Sequence, residues 1–273
     1  MIKIPISVVV SVKNEEVNIP KCLGLLGQFS ELIVVDSGST DKTKKIAESF
    51  GATIVNFEWN GKFPKKRNWT LQNIPLKNEW VLFLDADEFV TQEFVNEVAK
   101  KINNSKFNGF TIDFENYFMG KKLRYGYPFK KNALFRKSKG TYEKIDEDLW
   151  SHLDMEVHEH PIIEGEIGII KEKIIHRDFK SLEHYIDKHN AYSTWEAHRY
   201  LHFKNGERNQ MRLNQKIKYG LLNSGLLPII YFIGAYFIKL GFLDGKQGFY
   251  LALYKAHYFF QIKTKIELIE SEK

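Results

Sequence analysis

Two aspartates close an apolar run in the sequence WVLFLDADEFV, residues 80–90. In an extended segment, residues two positions apart point to the same side, so Asp85 and Asp87 can aim at one point. Carboxylate oxygens arranged in this way suit a hard divalent cation such as Mg²⁺ or Mn²⁺. Together with Glu88, these acids also repel one another and lose hydration beside a hydrophobic core, so we expect a compensating positive charge nearby.

The elements that must position these acids follow from the hydrophobic pattern of the first hundred residues. Four strand-like segments alternate with helix-like segments, and the strands are ISVVVSV, LIVVD, ATIVNFEW and WVLFLD. Such alternation predicts an α/β fold with a mixed, mostly parallel sheet flanked by helices. After residue 105 the segments alternate and contain turn residues, which favours antiparallel additions to the sheet. Residues 139–160 are typical of a long functional loop.

Acidic residues end two of the predicted parallel strands. Ligands of open α/β sheets bind beyond the carboxyl ends of the strands, where Asp36, Asp85 and Asp87 fall. Asp36 also precedes Ser37-Gly38-Ser39, a turn whose backbone can approach a ligand closely. The sequence therefore predicts a ligand site at this edge of the sheet.

The composition narrows the class of partner. The chain has 273 residues, a net charge of +6 and 43% hydrophobic residues, which indicates a globular protein suited to an anionic partner. Its lysines are spread along the chain and no nucleic-acid-binding motif is evident, so we expect no nucleic acid partner. The one cysteine, Cys22, excludes an intramolecular disulfide and a cysteine-based zinc cluster.

Four segments together resemble a known family, and they are ISVVVSVKNEE, ELIVVDSGSTDKT, KKRNWTL and WVLFLDADEF. In this order and spacing they are similar to the inverting family 2 glycosyltransferases of the GT-A (Rossmann-like) fold. The similarity is strongest over residues 4–105 and is closer to the branch with lipopolysaccharide-core glucosyltransferases. It implies metal-dependent transfer of a sugar from a nucleotide donor, most often UDP-linked, to a glycan or lipid-linked acceptor of the cell envelope.

The resemblance also implies roles for single residues. Asp36 would hydrogen-bond the base, and Asp87 would be the main ligand of Mn²⁺ or Mg²⁺. Asp85 would contact the ribose or the metal. The implied nucleotide-binding residues are Asn14, Glu15, Asp36, Arg67 and Asp85.

Three further candidates come from the second half of the chain. Glu159 in VHEH stands where this family places its catalytic base, with rival acids at Asp146, Glu147 and Asp148. His176 in IIHRDF is a candidate third metal ligand, because imidazole accepts Mn²⁺ well. Arg136 in ALFRK is a candidate for gripping phosphate or the acceptor.

The C-terminal region is rich in apolar and aromatic residues. We predict a catalytic domain over residues 1–222 and a helical extension over 223–273 that lies on an anionic membrane surface, with Arg208, Arg212, Lys216 and Lys218 near lipid headgroups. The alternative is ordinary packing on the catalytic core or in an oligomer interface. No signal-peptide pattern opens the sequence, so we expect a cytoplasmic protein, peripheral on the inner face of the cell membrane.

Two other functions remain open at this point. A protein of this fold can bind a nucleotide sugar without turnover, which retention of both aspartates disfavours. A basic nucleic-acid-binding protein is the non-enzymatic alternative. A phosphatase of the haloacid-dehalogenase type is excluded. Such enzymes need Thr or Val two residues after the second aspartate, where this sequence has Phe89.

Overall fold

The structure of the protein is a computed structural model that describes residues 3–103, 105–126, 128–144, 160–204 and 213–272. The chain forms two compact units. The first unit comprises Met1–Glu115, Phe129–Asp148 and His152–Asp178, and the second comprises Asn116–Pro128, Leu149–Ser151 and Phe179–Lys273.

The described strands are β1 (Ile4–Val12), β2 (Phe29–Asp36), β3 (Thr53–Asn56), β4 (Trp80–Asp85), β5 (Glu88–Phe89), β6 (Gly109–Phe118), β7 (Lys121–Lys122), β8 (Phe129–Arg136), β9 (Gly140–Tyr142), β10 (Pro161–Ile163) and β11 (Ile167–His176). The described α-helices are α1 (Ile19–Gly24), α2 (Thr43–Ser49), α3 (Lys66–Asn73), α4 (Gln92–Ile102), α5 (Leu182–His202), α6 (Leu213–Asn223), α7 (Leu227–Ile233) and α8 (Gly245–Ser271).

The main sheet has the strand order β3-β2-β1-β4-β8-β6-β11-β5, and β7 pairs with the end of β6. The first four strands are parallel, whereas β8 runs antiparallel to both β4 and β6, and β5 runs antiparallel to β11. This mixed α/β sheet with flanking helices confirms the predicted GT-A class. The parallel character belongs to its N-terminal part, and the antiparallel additions extend it.

The unbroken apolar run of β1 is explained by burial on both faces of the sheet. Val8 and Val10 join the core cluster on one face with Phe94 of α4, while Val9 joins the cluster on the other face with Phe83. A strand that is covered on both faces needs apolar residues at successive positions, whereas a strand with one exposed face alternates apolar and polar residues.

The helices α4 and α2 begin differently. Thr91 caps α4, with its hydroxyl accepting from the Phe94 N–H. Thr40 precedes α2 without capping it, because the helix begins at Thr43 and the Thr40 N–H donates to Asn14 Oδ1 at 2.8 Å. The loop predicted over residues 139–160 includes β9, which pairs antiparallel with β10.

In the second unit, α8 packs against α5 and α7 around a core that includes Ala197, Leu222 and Ile262. After α7 the chain makes a π-helical turn, Gly234–Ile238, and a 3-10 turn, Gly241–Asp244, before α8 begins. Among the described helices, none is by itself long and apolar enough to cross a bilayer, and one sharply bent pair, Lys216–Asn223 with Leu227–Ile238, meets the length and composition test together. The functional boundary at residue 222 stays a prediction; the second compact unit already includes α5 and α6.

Candidate active site

The site is built at one edge of the parallel sheet. Strand β1 lies between β2 and β4, with Val12 opposite Asp36 and Ser11 opposite Asp85. Because parallel strands end at the same edge, the two acids that close β2 and β4 are both placed beyond the carboxyl end of β1. Ala86 and Asp87 form the turn that follows β4.

Asp36 is fully buried, and its two carboxylate oxygens differ. Oδ2 accepts from the N–H groups of Gly38 (3.0 Å) and Ser39 (2.9 Å) and lies 3.2 Å from Lys44 Nζ. Burial alone would raise the pKa of Asp36, but the bonds from Ser39 and Lys44 outweigh it and hold the pKa below its usual value. Oδ1 is buried without a hydrogen-bond partner in the part of the chain that the structure describes, so this carboxylate oxygen can accept a hydrogen bond from a ligand.

Asn14 and Glu15 join the loop after β1 to the loop after β2. The Asn14 N–H donates to Ser39 Oγ and the Glu15 N–H donates to Thr43 Oγ1, each at 2.8 Å. Asn14 has a φ of 54°, in the left-handed region where Asn is one of the few tolerated side chains. Asn14 therefore adjoins the turn after Asp36, and Glu15 adjoins the first residue of α2.

The positive charge expected beside the acids comes from two side chains. Arg67 on α3 places Nη2 3.0 Å from Asp85 Oδ1, and Lys131 on β8 places Nζ 3.0 Å from Asp85 Oδ2. Lys131 also contacts the fully buried Glu88, whose other oxygen accepts from the Asp85 N–H. Burial raises the pKa of Asp85, but the charges of Lys131 and Arg67 outweigh it and hold this pKa well below its usual value.

A second group of acids gathers around His176. Pairing of β5 with β11 sets His176 opposite Glu88, and the Arg177 N–H donates to the Asp87 carbonyl at 3.0 Å. One ligand atom each from Asp87, His176 and Asp178 lies within 4.8 Å of the others. The His176 ring stacks on Phe129 with centroids 5.2 Å apart, which fixes its orientation.

The donor set of this group fits a divalent cation. Two carboxylates and one imidazole suit Mn²⁺, and the carboxylates also suit Mg²⁺. Asp87 and His176 were predicted as ligands. Asp178 was not, although its position two residues after His176 in IIHRDF was a readable signal. Asp85 lies outside this group, because both of its oxygens face cationic side chains.

Arg136 lies elsewhere, which corrects its predicted role. Its partner in the sheet is Trp80, the first residue of β4, so it stands at the edge opposite Asp85. Its guanidinium lies over the Trp80 ring (4.5 Å to the centroid) and donates to the Ser105 carbonyl. The cause is strand direction: β8 is antiparallel, so its start, which carries Lys131, reaches the site edge. The base candidates Glu159, Asp146, Glu147 and Asp148 lie outside the described residues.

Comparison with known proteins places the chain in a family. The model of glycosyl transferase family 2 matches residues 7–155. The chain is 27% identical to a lipopolysaccharide core biosynthesis glycosyltransferase, LpsC, of Rhizobium meliloti, over 97% of this chain and 92% of that one. Among solved structures, Mycobacterium tuberculosis glucosyl-3-phosphoglycerate synthase in complex with Mn²⁺, UDP and glucosyl-3-phosphoglycerate matches with 26% identity, coverage of 41% of this chain and 44% of that one, and a TM-score of 0.35. S. aureus TarS 1-349 in complex with UDP-GlcNAc matches with 17% identity, coverage of 98% and 92%, and a TM-score of 0.45. The family match spans more than half of the 273 residues, and the chain belongs to glycosyl transferase family 2.

Proposed function

We propose that the protein is an inverting, metal-dependent hexosyltransferase that moves a sugar from a UDP-linked donor to a glycan or lipid-linked acceptor in the synthesis of cell-envelope polysaccharide or lipopolysaccharide. The observation that carries this proposal is Asp36 Oδ1, which is buried without a hydrogen-bond partner among the described residues, at the same sheet edge as Asp85 and the turn of Asp87. The similarity to a lipopolysaccharide core glycosyltransferase along nearly the whole chain supports the acceptor class.

The residues at the carboxyl ends of the parallel strands would bind the nucleotide. Asp36 accepts the imide N–H of uracil through Oδ1, while Asn14 and Glu15 flank the base and ribose. Asp85, held ionised between Arg67 and Lys131, accepts from a ribose hydroxyl.

Asp87, His176 and Asp178 would hold the metal ion. When bound, Mn²⁺ or Mg²⁺ supplies positive charge that stabilises the departing diphosphate. The catalytic base, for which Glu159 is the candidate, takes the proton of the acceptor hydroxyl. The acceptor oxygen then bonds to the anomeric carbon on the face opposite the breaking bond to the diphosphate, which inverts that carbon.

A binding panel tests the proposal. UDP-, GDP- and CDP-sugars are compared by thermal shift and calorimetry with and without Mn²⁺, and we expect a UDP-sugar with Mn²⁺ to stabilise the protein most. The proposal fails if no UDP-sugar binds. A UDP-sugar that binds but releases no UDP in the presence of cell-envelope acceptors would instead favour nucleotide-sugar binding without turnover.

A further inference from the structure

The outward face of α7 is apolar. Leu226, Ile229, Ile230, Ile233 and Phe237 recur at the spacing of a single helix face, and each keeps between 45% and 59% of its surface exposed. The opposite side supplies the buried residues Leu227 and Ala235. A helix that rests on a core and faces water carries polar residues on its outer side, so this pattern is the reverse of a water-facing surface.

The apolar surface continues through the turn into α8. Ile238 is 76% exposed, and further exposed hydrophobic side chains follow at Leu240, Phe242, Leu243, Phe249, Tyr250 and Leu253. Ring contacts link the two stretches, since Phe232 contacts Phe237 and Phe249 and Tyr236 contacts Phe242. Exposed apolar surface that continues in this way marks an interaction site. We call these residues, together with the outer face of α7, the apolar face.

The turn is held in place without burying those side chains. Both carboxylate oxygens of Asp244 accept from the Arg124 N–H, and one also accepts from the Tyr125 N–H, while Lys121 Nζ donates to the Asp244 carbonyl. A Cβ at Gly248 would lie 2.0 Å from the Gly241 carbonyl oxygen, so the chain passes here at a distance that only glycine permits. The apolar face is therefore presented by a fixed backbone.

The exposed charges within the apolar face are positive. Residues 226–253, which carry this face, contain two lysines, Lys239 and Lys246, and one acid, Asp244. Asp244 is 3% exposed and engaged by backbone N–H groups, whereas Lys239 and Lys246 are exposed within the apolar face. Apolar side chains interleaved with exposed lysines, without exposed acids, match the boundary between anionic headgroups and acyl chains.

We propose that the apolar face docks on an anionic lipid bilayer, lying in the interface plane with Lys239 and Lys246 among the headgroups, on the inner face of the cell membrane. The occupant is lipid, since a second copy of this chain would set the same lysines against one another. Docking does not depend on the transferase activity. The corollary that the acceptor is lipid-borne rests on the proposed function.

The test is co-sedimentation of the full chain with phosphatidylcholine vesicles with and without phosphatidylglycerol. We expect binding that requires phosphatidylglycerol and weakens with salt. The double variant Ile229→Ser with Phe237→Ser should lower the partition coefficient at least about tenfold. Its control, Val17→Ser with Ile169→Ser, removes two exposed apolar side chains of the first unit and should bind like the parent.

A charge variant separates electrostatic from apolar docking. Lys239→Glu with Lys246→Glu should lower binding to phosphatidylglycerol vesicles at least about tenfold, whereas Lys45→Glu with Lys100→Glu, which reverses two exposed lysines of the first unit, should not. Circular dichroism checks that each variant folds. Absence of vesicle binding by the parent overturns the proposal, and so does self-association in ultracentrifugation that the Ile229 and Phe237 changes abolish without any vesicle binding. Donor binding, measured without vesicles, is unaffected by either result, so failure of docking and failure of the proposed function are distinguishable.

Discussion

Replacing Lys131 by Met tests how the acids of the site are held. The change removes the ammonium that lies 3.0 Å from Asp85 Oδ2 and contacts Glu88, and it keeps a long apolar side chain between Phe114 and Phe129, over whose rings the ammonium lies. Asp85 retains Arg67, but Glu88 loses the cation that favours its ionised form, while burial of its side chain raises its pKa.

The magnitude follows from burial and geometry. Removing one partner of a buried ion pair costs about 3–5 kcal/mol, because the other charge stays buried and uncompensated. The side chains of Lys131 and Asp85 are 25% and 28% exposed, so water screens part of this loss and we expect the lower end, about 3 kcal/mol. At roughly 2–4 °C per kcal/mol for a chain of this size, Tm should fall by about 6–12 °C.

The same variant should bind Mn²⁺ more tightly. Lys131 contacts Glu88, which follows Asp87 in the chain and lies opposite His176 in the pairing of β5 with β11. The ammonium of Lys131 is therefore near the group of Asp87, His176 and Asp178. Removing a nearby like charge should raise Mn²⁺ affinity by a few-fold, whereas a site that had merely lost its shape would bind Mn²⁺ less well. Calorimetric titration with Mn²⁺ and differential scanning calorimetry measure the two effects.

Lys130→Met is the matched control. Lys130 is the neighbouring residue of β8, and its side chain is 55% exposed and lies 3.0 Å from Asp113 Oδ1. An exposed pair of this kind contributes about 0–1 kcal/mol, so neither Tm nor Mn²⁺ affinity should change much. The proposed role of Lys131 is refuted if Lys131→Met has the same Tm as Lys130→Met, or if its Mn²⁺ affinity stays the same or falls.

Variants at three further residues test the site. Asp178→Asn should weaken Mn²⁺ binding at least about tenfold by calorimetry, and the exposed Asp187→Asn should not; equal affinities would remove Asp178 from the metal site. Asp36→Asn should weaken UDP binding by about 1.5–3 kcal/mol, the cost of a hydrogen bond to a charged group, and unchanged affinity would assign the base to other residues. The pKa of Asp36 in the folded protein is below its ordinary value of 3.8, so ionised Asp36 contributes stability above that value. This contribution is lost as pH falls through the lower folded pKa. The parent and Asp36→Asn should therefore differ in unfolding free energy at pH 6 and converge in strong acid. Glu159→Gln should bind the donor normally but transfer sugar about 10²–10⁴-fold more slowly, and near-normal turnover would move the role of base to the acids at 146–148.

Strand ends were the part of the site that the sequence predicted well. Asp36 and Asp85 each follow a run of buried apolar residues, and parallel strands bring such ends to one edge whatever the side-chain detail. The family resemblance, confirmed by the match over residues 7–155, added Asn14 and Glu15. Their backbone N–H groups donate to Ser39 in the turn after β2 and to Thr43 at the start of α2.

Residues on the antiparallel strands were harder to place, because their edge depends on strand direction. Arg136 and Lys131 belong to the same strand, and the sequence offers no local sign of which end reaches the acids. The apolar run of β8 lies nearer Arg136, yet pairing of Trp80 with Arg136 takes that residue to the far edge. Lys131 was missed for the same reason, although the need for a cation beside Asp85 and Glu88 followed from charge alone.

Asp85 and Asp87, the two aspartates of the DAD segment, have different neighbours because the strand ends between them. Period-two alternation, which suggested that both aim at one point, holds only while the backbone is extended, and β4 stops at Asp85. Asp85 is thereby left among Arg67 and Lys131, whereas Asp87 lies in the turn after the strand, where it forms a candidate cation-binding group with His176 and Asp178. A divalent ion would then add charge at Asp87 without displacing the side-chain cations at Asp85. Donor phosphates beside this edge would therefore lie near positive charge from the metal ion and from Arg67 and Lys131. In this way acids beside a hydrophobic core would become part of an anion-binding site.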